Sequence, residues 1–71
     1  MRVEVREAAT ILELPDQTVR VMLQHGSPLG RCEKISTVNK YLIFSHQLAS
    51  YIGMTVEEVE KKILEMRGAE S

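Results

Sequence analysis

The chain has 71 residues and a net charge of −1 at neutral pH; its charged residues are well mixed with an ordinary apolar share, which excludes global disorder and leaves room for one small domain with a thin core. A single cysteine, Cys32, excludes an internal disulfide and suits a reducing compartment. No apolar run is long enough to span a membrane and Met1-Arg2-Val3-Glu4 carries no signal-peptide pattern, so a cytoplasmic protein with no membrane partner is expected.

In chain order, Val3 and Val5 alternate with Arg2, Glu4 and Arg6, which predicts a short extended lead-in or an early start to the first helix. Residues 7–26 then read as two short helices. Ala8, Ile11 and Leu12 share one side of the first, with Ala9 beside them; Val19, Met22 and Leu23 share one side of the second. Glu13-Leu14-Pro15-Asp16 interrupts the pattern. Proline lacks an amide donor and fits only the first turn of a helix, so a new helix starts there, and Gly26 stops it. Ala9 is small where a larger side chain would hold the two helices apart. Ser27-Pro28-Leu29-Gly30 is a loop by composition.

Two strands are expected next, residues 31–36 and 41–44, with Thr37-Val38-Asn39-Lys40 between them and Asn39 at the hairpin tip. Ile43 is the inward residue, and such a hairpin must pack on the helices to be stable. Ser45 suits the N-cap of a third helix over 46–52, with Leu48, Ala49 and Ile52 inside and Gly53 closing it. Thr55 with Glu58 forms a capping box for a fourth helix, whose stripe is Val56, Val59, Ile63 and Met66. That stripe either packs back on the domain or serves association. The fold expected is therefore a small α+β winged helix-turn-helix, α-α-β-β-α plus a C-terminal helix, with residues 1–53 as the domain and 54–68 as the added helix.

The charge is uneven. Residues 17–46 carry Arg20, Arg31, Lys34 and Lys40 against Glu33 alone, while both flanks are net acidic. A local basic stripe matters more for phosphate contact than the total does. If the second helix lies in a DNA major groove, its outward residues are Gln17, Thr18, Arg20, Val21 and Gln24. Arginine can bond two acceptors on guanine, glutamine can pair with the edge of adenine, and valine can touch a thymine methyl. Thr18, near the helix start, is placed for a phosphate. Arg31, Lys34, Asn39 and Lys40 sit on the hairpin, where they either straddle the sugar–phosphate backbone or simply guard an exposed edge strand. Arg2 and Arg6 are lesser phosphate candidates.

Glu7-Ala8-Ala9, residues 14–20 (LPDQTVR), Gly26 and residues 41–48 (YLIFSHQL) together resemble the excisionase-like small winged helix-turn-helix proteins of phages and conjugative elements, related in fold to the DNA-binding headpiece of MerR regulators. The resemblance covers roughly residues 3 to 52. It implies sequence-specific binding of duplex DNA, as a recombination accessory factor or as a small transcriptional regulator of a mobile element, with an integrase or other recombinase as partner. The chain departs from the pattern in two ways: Glu13 stands where glycine is usual, and the second helix and hairpin are less basic. Few cations on so small a domain imply a dimer or adjacent copies on DNA. The alternative is a protein-interaction module of the same fold that holds a recombinase or repressor and not DNA; the near-neutral charge favours it. His25, Cys32 and His46 match no compact zinc pattern, and no nucleophile–base pair, phosphate loop or carboxylate pair is present, so no metal, cofactor or enzymatic activity is expected.

Overall fold

In the computed structural model, which describes residues 1–69, the first residues do both of the things their alternation allows. Arg2–Val3 forms strand β1, and helix α1 follows at once as Val5–Leu12. The Glu4 amide donates to Glu7 Oε1 at 2.9 Å, so the first turn of α1 is closed by its own carboxylate. At the other end Glu13 takes the left-handed conformation (φ 59°, ψ 42°), and the Leu14 amide donates back to the Ala9 carbonyl at 3.0 Å. Glycine adopts that conformation without a Cβ clash. Glu13→Gly is therefore expected to stabilise the domain by about 0.5–1 kcal/mol, read as a raised urea midpoint at unchanged m-value.

Helix α2, Asp16–Gln24, begins after an extended Pro15 and ends at His25. Gly26 (φ 82°) turns the chain, and the Ser27 amide donates to the Met22 carbonyl at 3.1 Å, satisfying one of the last carbonyls of the helix. Strands β2 (Gly30–Ile35) and β3 (Val38–Phe44) form an antiparallel hairpin, and β1 pairs with the other side of β3 at Arg2↔Phe44 and Val3↔Ile43. The sheet order is β1-β3-β2. Helices α3 (Ser45–Ile52) and α4 (Val56–Ala69) complete the chain, with Gly53 (φ 74°) between them. Among the described residues four helices and a three-stranded antiparallel sheet make this a small α+β domain, compatible with the winged helix-turn-helix expected from the sequence.

The hairpin turns earlier than expected. Its loop is Ser36-Thr37, with Ser36 at φ 60°, and Asn39 lies within β3 opposite Lys34. Positive φ in a two-residue loop matches the twist of the flanking strands. A loop over 37–40 would have paired Ile43 with Lys34 at the edge of the core. The observed register pairs Ile43 with Gly30 instead. Ser45 also differs from expectation. It is the first residue of α3, buried, and its hydroxyl donates to Glu60 Oε2 at 2.7 Å, so it ties α3 to α4 and does not cap its own helix.

Helix α4 packs back on the domain. Val59 and Ile63 are fully buried among Ala8, Leu48 and Ala49, Met66 packs against that cluster, and Val56 at the helix start is exposed. Val3, Ala9, Val19, Leu23, Leu29 and Ile43 complete the buried cluster. The far end of α4 is clamped to α1. Arg67 Nε donates to Glu7 Oε2 at 2.8 Å, and its Nη2 donates both to Glu7 Oε1 (3.0 Å) and to the Arg2 carbonyl (2.9 Å). Glu7 is 4% exposed. The Arg67 hydrogen bonds hold its carboxyl below the usual glutamate value; burial opposes them, and the Glu4 amide and the charges of Arg67 and Arg6 add to the lowering. A carboxyl depressed in the folded state adds stability that is complete above its unfolded value and is lost as pH falls through the folded one. Glu7→Gln is expected to cost about 1.5 kcal/mol at neutral pH, the half-exposed guanidinium keeping it at the low end of charged hydrogen bonds. Urea unfolding repeated down the acid limb would show the parent converging on the variant as pH drops below the ordinary glutamate range.

Candidate nucleic-acid interface

Helix α2 has one wet side. Val19 and Leu23 are buried and Met22 packs on the core, which turns Gln17, Thr18, Val21 and Gln24 outward. Arg20 is half-buried and forms no ion pair among the described residues. Gln17, Arg20, Val21 and Gln24 follow one another at i, i+3, i+4 and i+7, so they form a continuous stripe along the helix. Thr18 lies in the first turn, where backbone amides are free; its own amide donates to the Pro15 carbonyl at 3.0 Å. Asp16 occupies the same turn and opposes an anion there. The distal end of the stripe is tied down: Gln24 Nε2 donates to the Tyr41 hydroxyl at 2.8 Å. That bond joins α2 to the hairpin and takes Gln24 out of the set of freely presented side chains.

The hairpin register decides what its cations can do. Directly paired residues lie on one face of a sheet, and neighbours along a strand alternate. Lys34↔Asn39 therefore shares a face with Cys32↔Tyr41 and Gly30↔Ile43, the face that packs on α2. Glu33↔Lys40 and Arg31↔Leu42 lie on the opposite face. The expected cation set is thus divided. Lys34 and Asn39 stand on the α2 side, and Arg31 and Lys40 stand behind. Arg31 Nη1 is 3.5 Å from Glu33 Oε1, so it is paired within its own strand. Next to α2 the hairpin offers one cation and one amide; the exposed Ile35 and Val38 at the tip lie on the opposite face with Glu33 and Lys40.

The remaining sequence candidates fall outside this surface. His46 stacks on Phe44 with ring centroids 6.0 Å apart, His25 follows the last turn of α2, and Cys32 is half-buried on β2. Among the described residues no group of three or more His, Cys, Asp or Glu is placed to hold a metal ion, and no helix is long and apolar enough to cross a membrane. Tyr41 shares the face of the inward Ile43, as the two-residue spacing along a strand predicts, but its bond to Gln24 joins residues far apart in the chain and has no signal in the local sequence. No protein-family model, curated protein or solved structure gives a match to this chain.

Proposed function

We propose that the domain binds duplex DNA, with α2 in the major groove and the β2–β3 hairpin against the neighbouring backbone, as an excisionase-like recombination accessory factor or a small transcriptional regulator of a mobile element. The observation that carries the reading is the outward stripe of Gln17, Arg20 and Val21, whose far end is bonded through Gln24 to Tyr41, on the hairpin face that also carries Lys34 and Asn39. Arg20 and Gln17 are the base-reading pair, Val21 supplies apolar contact, Thr18 and Lys34 take phosphates, and Gln24 sets the angle between helix and hairpin through Tyr41. Binding by a dimer or adjacent copies, and cooperation with a recombinase, belong to the same proposal.

Fluorescence anisotropy on duplex DNA at low salt tests it. Arg20→Ala is expected to lose about 1–3 kcal/mol on a preferred site and to relax preference at one base position. Lys34→Ala is expected to weaken all sequences alike and to shrink the salt slope by about 1. If the unmodified protein binds no duplex at low salt while its circular dichroism shows the fold intact, the surface serves a protein partner. The net charge of −1 is the observation that favours that second reading.

A further inference from the structure

Strand β3 is the middle strand of the sheet, yet one of its edges is open over half its length. Strand β1 pairs with it only at Ile43 and Phe44 and then gives way to α1, whereas β2 follows β3 as far as Val38. The Ser45 amide donates to the Met1 carbonyl at 2.9 Å, and Val3 lies opposite Ile43 in the same register. Backbone groups alternate in direction along a strand, so the odd-numbered residues of β3 direct theirs toward β1 and the even-numbered ones toward β2. Beyond Val3 the donors and acceptors of Tyr41 and Asn39 therefore meet no strand among the described residues. They open into a cleft of about 720 Å³ lined by Arg2, Glu4, Asn39, Lys40, Tyr41 and Arg67.

We infer that this edge receives an extended acidic peptide segment of a partner protein, which adds a strand in line with β1. Both a donor and an acceptor are presented at each open residue, and a peptide backbone satisfies both where a phosphate satisfies only the donor. The charge of the cleft selects the peptide. Glu4 is paired with Arg6 (3.2 Å) and Glu7 with Arg67 (2.8 Å), while Arg2 and Lys40 have no ion pair among the described residues. Glu33, across from Lys40, is turned to Arg31 instead. A second copy of the chain fits poorly. The antiparallel register that pairs both open residues, Asn39 with Tyr41 and Tyr41 with Asn39, sets Lys40 against Lys40, and like charges directly opposite repel. This surface lies on the β1 side of β3 and does not depend on the DNA reading.

The probe is a short N-acetylated peptide alternating threonine and glutamate, titrated into the full chain while amide exchange and chemical shifts are followed by NMR. Without peptide, the Asn39 and Tyr41 amides are expected to exchange faster than those of Lys40 and Leu42; with it, they gain protection and shift saturably. Asn39→Pro removes one donor on the open edge and leaves the ladder to β2 intact, and its melting curve reports whether it folds. It is expected to weaken the peptide by about fivefold or more, one backbone hydrogen bond being lost. Lys40→Glu is expected to weaken the glutamate peptide and to favour a lysine-containing counterpart. The inference is overturned by equal binding of the glutamate and lysine peptides, by no protection of the two amides, by protection that rises with protein concentration alone, or by a folded Asn39→Pro variant that binds as the parent does.

Discussion

Ile63→Ala is expected to remove about 3–4 kcal/mol of stability, while Leu64→Ala, one residue on, changes it by less than about 0.5 kcal/mol. Ile63 is 0% exposed and faces the cluster that includes Val59, Leu48 and Ala8; Leu64 is 56% exposed. Truncating Ile63 leaves a cavity between α4 and the remainder of the domain that neighbouring side chains fill only in part. A domain of this size has roughly 4–10 kcal/mol in all, so one such cavity takes a large share. Urea unfolding followed by circular dichroism reads both variants. Equal, small effects would mean that α4 is not part of the core, and the helix would then be free for association.

Gly30→Ala is the second severe substitution, with an expected loss of about 3 kcal/mol or more. A methyl group on Gly30 would lie 2.1 Å from the Leu42 carbonyl oxygen and 3.1 Å from the Ile43 Cα, both backbone atoms that move only if β2 leaves β3. The fully buried Ile43 is anchored by that pairing, and the Gln24–Tyr41 bond depends on β3 staying in place beside α2. The variant is therefore expected to lose near-ultraviolet tyrosine signal along with its melting temperature. A wild-type melting curve would show that the register of Ile43 against Gly30 is wrong.

Local chemistry made much of this fold readable. Pro15 and Gly26 bracket α2 because one cannot donate inside a helix and the other turns left without strain; Gly53 does the same for α3. The apolar spacing singled out Val19, Leu23, Leu48, Ala49, Val59 and Ile63, all of them buried. What escaped was whatever depends on residues far apart in the chain. Leu29 sits in a loop by composition, yet it is fully buried because the loop passes over the core. Asn39 has the chemistry of a hairpin tip, but the tip moved to Ser36-Thr37 to keep Lys34 out of the place opposite Ile43. The division of the hairpin cations between two faces follows from that register and was hidden with it. Ser45 has the chemistry of a cap, and Glu60 on another helix claimed its hydroxyl.

The outward stripe of α2 was legible because it is the complement of a buried one. Its coupling to the hairpin was not, since Gln24 and Tyr41 are 17 residues apart and meet only after the sheet has formed.

The Glu7–Arg67 clamp joins positions 60 residues apart, nearly the full span of the polypeptide. A contact between positions so far apart forms only once the ring between them has closed, without the step-by-step gain that local helix and hairpin contacts have, so the clamp is expected to belong to a late stage of folding. Its contribution then acts on the way out of the native state. It slows departure and leaves the speed of arrival almost untouched, as a latch does on a door already shut.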